Sequence, residues 1–295
     1  MVVTVTVIEL AEADWRDRER QHAQRIDAAT AAHRHRQARA AKHPVEDFLF
    51  TYYSYRPAQL RLWHPGVGVR LAGGVQRSQW KHYRVESGSA FVDVGDFLLH
   101  RGKTLNFVEE LLRATSQRPA QYGCFGLHEW AMVYRLGTDQ VRHPTWPLRL
   151  GTSGTDAVVR SNQLKCSHVD AYRFFTDPAR ELNQLNPQRE TQTIMEQPGC
   201  LHANMDLYKW AHKLAPAVGS DLIADCFDLA REIRVLDMRA SPYDFQELGL
   251  PPIPIETSVG KSEYARAQQA FTGRAQTLRD ELTAVCDRIR KMATP

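Results

Sequence analysis

The sequence contains few cysteines, and they form no recognisable pattern. Its 295 residues include five cysteines, an odd number, and none of them belongs to a Cys-x-x-Cys pair. A disulfide framework and a zinc-ribbon site both require closely and regularly spaced cysteines, so neither is predicted. The five are Cys124, Cys166, Cys200, Cys226 and Cys286.

Long apolar runs, targeting signals and common catalytic motifs are missing as well. No uncharged apolar run reaches the roughly 18 residues that a membrane-spanning helix needs, and residues 1–10 lack the basic and apolar regions of a signal peptide. We therefore predict a cytoplasmic protein with no membrane partner. The absence of a Walker loop, a dinucleotide GxGxxG, an HExxH and a GxSxG removes the commonest nucleotide, zinc-protease and serine-hydrolase classes.

No strong excess of charge is present. The chain has 38 Lys and Arg against 34 Asp and Glu, which leaves a net charge of +4. A polyanionic partner is therefore permitted but not required. Hydrophobic residues make up 43% and charged residues 24%, values typical of a globular protein that can bury a core.

Helical patterns dominate the chain. They predict a mainly α protein that forms a single domain over residues 1–295. Clustered glycines and alternating apolar residues predict a small β hairpin or sheet within residues 66–95, and residues 2–10 also alternate like a strand. Residues 256–295 are predicted to form a C-terminal bracing helix. The predicted helices cover residues 12–42, 104–115, 119–136, 169–175, 199–214, 220–239 and 262–292.

The most basic segment is an N-terminal helical arm over residues 1–43. Its helix is rich in Ala, Arg, Gln, Glu and His and contains no Gly or Pro. We favour a solvated helix that packs on the body through Trp15 and Ile26. The functional alternative is contact of Arg34, Arg36 and Arg39 with nucleic-acid phosphates.

Residues 122–134 are apolar on every side of a predicted helix, which is typical of a buried helix. His128 and Glu129 are its only strongly polar side chains, and Glu129 shares a stripe with Met132 and Val133. Burial of a carboxylate is unfavourable unless the group is paired or bonded. We therefore predict that Glu129 is buried and bonded to an arginine, a histidine or a metal. A structural ion pair and a functional role both explain it.

A second polar cluster lies within residues 166–175. A helix that begins near Ser167 would be capped by this serine, and Asp170 would then pair with Arg173. We favour this structural interpretation over catalysis or metal binding by His168 and Asp170.

A third polar cluster lies within residues 196–214. Helical spacing places His202, Asp206 and Lys209 on one stripe beside a core stripe. A carboxylate beside ammonium groups stays ionised at neutral pH, which suits it to stabilise a cationic transition state or to act as a base. The alternative is an exposed helix face with ion pairs that contribute about 0.3–0.5 kcal/mol each.

Two further features receive structural interpretations. Asp237 falls on the apolar side of the predicted helix over 220–239, where Arg234 or Arg239 would pair with it. Residues 64–69 alternate glycine and hydrophobic residues like a helix-hairpin-helix turn. Strand-like residues follow instead of a helix, which favours an ordinary turn.

Five blocks of the sequence are distinctive, among them Lys-His-Pro-Val-Glu-Asp-Phe at 42–48 and Leu-His-Glu-Trp at 127–130. Together the blocks resemble an actinobacterial family commonly labelled 3-methyladenine DNA glycosylase. The resemblance covers about residues 42–265 and implies cleavage of the N-glycosidic bond of a modified purine, with DNA as the partner. The blocks are residues 42–53, 123–135, 166–175, 196–211 and 231–244.

The leading hypothesis is an N-glycosylase that acts on DNA or on a nucleoside and uses no cofactor and no metal. Such chemistry needs a carboxylate to stabilise the sugar cation or activate water, and an aromatic slot for the base. The catalytic candidates are Asp206, Glu129, His202, Asp170, His128 and His168. The candidates for substrate binding are Trp130, Tyr134, Asn204, Tyr208, Trp210 and Arg173.

We expect the pocket where the predicted helices over 123–135 and 199–213 approach each other, flanked by Trp130 and Tyr208. His128, Glu129, His202 and Asp206 would converge on it.

The main alternative is a metal-dependent enzyme, with iron in a helical bundle, because histidines and carboxylates come from several predicted helices. A non-catalytic nucleic-acid-binding protein that uses the basic arm is the second alternative. It does not explain a buried Glu129.

Overall fold

The computed structural model describes residues 6–137 and 139–293, and most of them are helical. These residues form twelve α-helices and one four-stranded sheet, so the mainly α class with a small β element is confirmed. Residues 2–5 of the predicted first strand and residues 294–295 of the predicted brace lie outside the described residues. The helices are α1 (Glu12–Ala38), α2 (Phe48–Tyr52), α3 (Pro57–Leu60), α4 (Val94–Ser116), α5 (Leu127–Ala131), α6 (Gly151–Ser161), α7 (Val169–Tyr172), α8 (Asp177–Arg180), α9 (Gln192–Met195), α10 (Leu201–Lys213), α11 (Ser220–Arg239) and α12 (Ser258–Ala293).

The sheet has the strand order β1-β2-β4-β3. β1 runs parallel to β2, with Ile8 opposite Val69, and the other two pairings are antiparallel. Ser87 and Gly88 connect β3 to β4 with φ angles of 49° and 80°, as a tight two-residue hairpin turn requires. The strands are β1 (Ile8–Leu10), β2 (Val69–Ala72), β3 (Tyr83–Glu86) and β4 (Ser89–Val92).

The centre of the molecule is the packing of α10 against α11, with α12 across both. Leu207 of α10, Phe227 of α11 and Leu282 of α12 are all buried in the main apolar cluster. α12 also packs along α4. None of the described helices has the length and apolar character needed to cross a membrane.

α1 packs on the body, which confirms the interpretation favoured from the sequence. Trp15 and Ile26 are buried, and the indole nitrogen of Trp15 donates to the carbonyl of Ala72 at 2.9 Å. Arg36 donates to the carboxylate of Asp47 at 2.6 Å. This arginine is therefore engaged within the protein.

The predicted helix over 119–136 is wrong in its length, because α5 has only five residues. Phe125 and Gly126 directly before it have φ angles of 45° and 71°, whereas an α-helix requires negative φ. Gly126 also packs closely, since a Cβ atom added there would lie 3.4 Å from the Cβ of Ala240. The apolar character of the segment reflects its burial and not a continuous helix.

Residues 64–69 form a turn that leads into β2, as the sequence favoured. Gly66 and Gly68 both have a φ of 84°, and the amide of Val67 donates to the carbonyl of Ala217 at 2.8 Å. The turn thus fixes the start of the sheet against the loop before α11.

Candidate metal centre

Two groups of three metal-binding side chains lie side by side in the core. In each group, one donor atom from every side chain lies within 4.8 Å of the other two. The first group is His128 of α5, His202 of α10 and Asp237 of α11. The second group is His168 before α7, Glu196 after α9 and Asp206 of α10.

The first group is built on a short hydrogen bond. The Nε2 atom of His128 lies 2.9 Å from Oδ2 of Asp237. The ring of His202 meets the ring of His128 edge to face, with 4.3 Å between their centroids. The other carboxylate oxygen of Asp237 is buried, and the carboxylate also interacts with the hydroxyl of Tyr264.

The second group surrounds a fully buried imidazole. His168 has an exposed fraction of 0%, and its Nδ1 atom has no hydrogen-bond partner in the described part of the chain. Its Nε2 atom lies 3.4 Å from Oδ2 of Asp206 and 3.5 Å from Oε1 of Glu196. Burial favours the neutral imidazole, but the hydrogen bond to Asp206 and the charge of Glu196 outweigh it and raise the pKa of His168.

α10 connects the two groups. His202 and Asp206 are four residues apart and therefore lie on one side of this helix. The centroid of the His202 ring is 5.4 Å from that of His168, so the first group adjoins the second. The other ligands arrive from α5, α11 and the ends of α7 and α9.

Polar neighbours hold the carboxylates of the second group in place. Asp206 accepts hydrogen bonds from the Tyr53 hydroxyl at 2.9 Å and from Nζ of Lys209 at 2.7 Å. Glu196 accepts one from the side-chain amide of Gln192 at 2.5 Å. Such outer contacts orient ligands around protein metal ions.

The two histidines of the first group differ in their pKa values. Burial favours the neutral form of His128, but the charge of Asp237 outweighs it and raises the pKa of His128 well above its usual value. Burial, together with the charge of His128, lowers the pKa of His202 well below its usual value. Metal ligands must be deprotonated, so an ion bound here would displace the proton of His128.

The carboxylate of Asp206 is ionised. Burial favours its neutral form, but the charge of Lys209 outweighs burial and lowers the pKa of Asp206. Asp206 is 1% exposed, so the alternative of an exposed face with weak surface pairs is wrong.

Glu129 lies outside both groups. It is buried and accepts a hydrogen bond from Nη1 of Arg234 at 2.7 Å, which confirms the predicted burial and bonding. Burial raises its pKa, but the charge of Arg234 outweighs this and lowers the pKa of Glu129 to about 2. The same Arg234 atom lies 3.8 Å from Oδ2 of Asp237. Glu129 therefore positions an arginine beside the first group.

Asp170 also lies outside the groups. The predicted pair with Arg173 is present at 3.7 Å, and Lys209 donates to Asp170 at 3.0 Å. Capping by Ser167 is wrong, because His168 takes the cap position of α7 and no side-chain cap bond is formed.

Most of the candidates for substrate binding are in the core. Trp130, Tyr134 and Tyr208 are at most 2% exposed, and the indole nitrogen of Trp130 donates to the carbonyl of Ala240 at 2.8 Å. Asn204 is buried and accepts a hydrogen bond from Arg279 at 2.7 Å. A base slot between Trp130 and Tyr208 is therefore not formed.

The other two candidates face a cleft. Trp210 and Arg173 line it together with Asp170 and Lys209, and its volume is about 300 Å³.

A small cavity lies where the segments 123–135 and 199–213 meet. Its volume is about 20 Å³, enough for roughly one water molecule. His128 and His202 line it, together with Cys124, Cys166 and Cys200, whereas Glu129 and Asp206 do not. The structure thus brings His128, His202, His168 and Asp206 together but places the cavity beside the first group alone.

Two ligands were not among the sequence candidates for the site. The sequence pattern does indicate Asp237, since a carboxylate on the apolar side of a helix implies a buried partner. No pattern indicates Glu196, because it lies between two short structured segments and follows no helical period. Only the fold places it beside His168.

Comparison with known proteins yields no match to any family model, curated protein or solved structure. A function for this chain therefore has to come from the chemistry of the two groups.

Proposed function

We propose that this protein is a metal-dependent enzyme that binds first-row transition-metal ions in the two groups. The observation that carries the proposal is His168, which is fully buried and whose Nε2 atom lies between two buried carboxylates, 3.4 Å from Asp206 and 3.5 Å from Glu196. A metal ion bonded to Nε2 and to these carboxylates would take the place of the ion pairs among the three side chains.

Three pairs of donor atoms are close enough to share an ion as they stand, and the other pairs lie within 4.8 Å. Two donors that each lie about 2.1 Å from one ion can be at most about 4.2 Å apart. The separations of 2.9 Å between His128 and Asp237 and of 3.4 Å between His168 and Asp206 meet this limit. The separation of 3.5 Å between His168 and Glu196 meets it too.

The donor types favour iron. All six side chains offer imidazole nitrogen or carboxylate oxygen and no thiolate. Two histidines and one carboxylate, the composition of the first group, suit non-haem Fe(II) with open coordination positions. Manganese and zinc accept the same donors and are the competing ions.

An enzyme is favoured over a structural metal site because the ligand set is incomplete. Structural sites have a closed ligand shell, whereas catalytic sites keep a position for water or substrate. Each group provides three protein ligands, and the cavity beside His128 and His202 has room for roughly one water molecule. An ion bound there would act as a Lewis acid on such a ligand.

Metal analysis tests the proposal. Protein produced with iron, manganese and zinc in the medium is desalted, and metal per chain is measured by mass spectrometry. We expect a stoichiometric transition metal in the native protein and loss of at least one equivalent in His168→Gln and in Asp237→Asn. His35→Gln is the matched control, because His35 is exposed on α1. Circular dichroism checks that the variants fold.

Two results would contradict the metal proposal. One is a native protein that stays below a tenth of an equivalent even after reconstitution with Fe(II), Mn(II) or Zn(II). The other is full metal content in both folded variants.

A second candidate is the N-glycosylase to which the family resemblance points, acting on a modified purine in DNA or in a nucleoside. The observation that favours it is Asp206, an ionised carboxylate whose partner Tyr53 lines an open cleft. Base release from alkylated DNA, measured with and without EDTA, separates the candidates. Release that persists in EDTA supports a metal-free glycosylase, and no release under either condition rejects it.

A further inference from the structure

An open cleft lies on the far side of Tyr53 from the second group. The Tyr53 ring lines this cleft, while its hydroxyl donates to Asp206. The cleft volume is about 810 Å³. Sites for small molecules and cofactors commonly have about 300–1,000 Å³.

Flat rings form part of the cleft wall. Tyr55 and His212 stack in parallel, with centroids 3.6 Å apart and planes 10° from each other. Trp80 also lines the cleft, and the guanidinium of Arg77 lies 4.2 Å from the centre of its ring. All three rings are half-buried, so each is held in place while part of its surface faces the cleft.

Three cationic side chains line the same cleft as these rings. Lys81, Arg101 and Lys213 line the cleft, and within the described residues none of them forms an ion pair with a carboxylate. No Asp or Glu is among the described residues that line it. Elsewhere on the surface arginines do find acids, as Arg25 does with Asp225 at 2.7 Å.

Two histidines of the cleft wall, His64 and His212, do not add to this charge at neutral pH. Burial, assisted by the charge of Arg77, lowers the pKa of His64 to about 3. Burial also lowers the pKa of His212 to about 4. The positive potential therefore comes from the lysines and the arginine, and a cleft lined by one sign of charge attracts ions of the other sign.

We propose that this cleft binds a planar aromatic ring that carries a phosphate, a ligand of mononucleotide size. The ring would lie against Trp80 and the Tyr55–His212 stack, and the phosphate would meet Arg101, Lys81 and Lys213. Stacking on aromatic side chains selects a planar ring, and arginine and lysine bind phosphate oxygens by charge-assisted hydrogen bonds. This inference goes beyond the metal proposal, because it depends only on the side chains that line the cleft.

Two pairs of probes test the ligand class. Calorimetry compares adenosine monophosphate with adenosine, and flavin mononucleotide with riboflavin, so that within each pair only the phosphate changes. We expect at least one phosphorylated probe to bind about tenfold or more tightly than its partner without phosphate, because it gains charged hydrogen bonds. The preferred pair identifies whether the ring is a purine or a larger flavin-like system.

Variants locate the binding. Arg101→Gln and Lys213→Gln should each weaken the phosphorylated probe by about tenfold and leave the probe without phosphate unchanged. Lys103→Gln is the matched control, since Lys103 is exposed on the same helix as Arg101 and does not line the cleft. Absence of binding by both phosphorylated probes at millimolar concentration would overturn the proposal. So would equal affinity in the native protein and both cleft variants.

The same titrations are run before and after treatment with EDTA. Probe binding that persists after chelation supports ligand binding in the cleft, whatever the metal analysis shows. If the protein contains stoichiometric metal but binds no probe, the cleft proposal is rejected and the metal proposal is unaffected.

Discussion

The buried carboxylates differ in what compensates their charge. Glu129 accepts a hydrogen bond from Arg234, and Asp206 is held by Lys209 and Tyr53. Asp237 has the bond to His128 and also interacts with the hydroxyl of Tyr264. Glu129 is thus explained by its ion pair with Arg234, whereas Asp237 belongs to the first group of possible ligands.

Glu129→Gln tests the structural role of that ion pair. Arg234 is 3% exposed, so the substitution leaves a buried guanidinium without its closest carboxylate. Removing one partner of a buried pair costs about 3–5 kcal/mol. We expect a loss of unfolding free energy of about that size in urea titrations, while the metal content stays unchanged.

Glu110→Gln is the control for this substitution, because Glu110 is exposed on α4. Its effect should stay within about 0.5 kcal/mol. A loss below 1 kcal/mol in Glu129→Gln, or a loss of metal with it, would contradict the role assigned to Glu129.

Asp47 makes the protein sensitive to acid. It accepts hydrogen bonds from Nδ1 of His33 at 2.8 Å, from Arg36 at 2.6 Å and from the amide of His43 at 2.8 Å. Burial favours the neutral acid, but the bonds from Arg36 and His33 outweigh burial and lower the pKa of Asp47 below the ordinary 3.8. Its stabilising contribution is therefore present above pH 3.8 and is lost as the pH falls through the folded-state pKa.

Urea titrations at pH 7 and pH 3 check this prediction. We expect the native protein to lose more unfolding free energy than Asp47→Asn between these values, since the amide cannot titrate. Asp177→Asn, at a carboxylate that is 94% exposed, should follow the native curve. Equal losses in native protein and Asp47→Asn would show that other groups govern the acid response.

The long helices could be predicted from the sequence, and the short ones could not. α11 covers residues 220–239 as predicted, because its apolar period continues without a break. α5 is short because Phe125 and Gly126 take left-handed conformations that apolar periodicity does not signal. α4 begins at Val94, ten residues before the prediction, since Gly95 and Gly102 are poor helix formers and concealed its first turns.

Asp93 fixes the start of α4. Its side chain accepts a hydrogen bond from the amide of Asp96 at 3.0 Å, as an N-cap residue does. Asp93→Ala should lower the unfolding free energy by about 1 kcal/mol, whereas Asp93→Ser, which can still cap, should retain most of it. Urea titrations of the two variants check the prediction, and equal losses would mean that capping is not the cause.

The candidate site could be predicted only in part, because some of its residues lie within a regular helix and others lie at the ends of short helices. His202 and Asp206 share one helix, so the spacing of four residues already places them together. His168 and Glu196 stand at the ends of short helices, where no period constrains side-chain direction. Their meeting depends on how the chain between α5 and α10 folds over the core.

At the scale of the whole molecule, the two groups connect parts of the chain that are distant in sequence. The proposed ligands span residues 128–237 and come from α5, α10, α11 and the ends of α7 and α9. An unfolded chain cannot hold these donors together, so an ion in either group would bind the folded state far more tightly. Under the metal proposal, binding is therefore linked to folding.

Removing the metal should therefore lower the thermal midpoint. A ligand present at a hundredfold its dissociation constant stabilises the folded state by about 2.7 kcal/mol. For a chain of this size that energy corresponds to roughly 4 °C in the midpoint. Calorimetry with and without EDTA measures the shift, and His168→Gln, which should not retain an ion in the second group, is expected to show a smaller one.

Hydrogen exchange measures which elements lose stability when the metal is removed. After chelation we expect faster exchange in the short helices α5, α7 and α9, because few contacts besides the ligands tie their ends to α10. The packing of α4 against α12 contains no ligand and should keep its exchange rates. Metal-loaded protein whose midpoint and exchange rates do not respond to EDTA would mean that its ions bind outside the two groups. The opposite result, a response confined to α5, α7 and α9, would place the ions in the two groups.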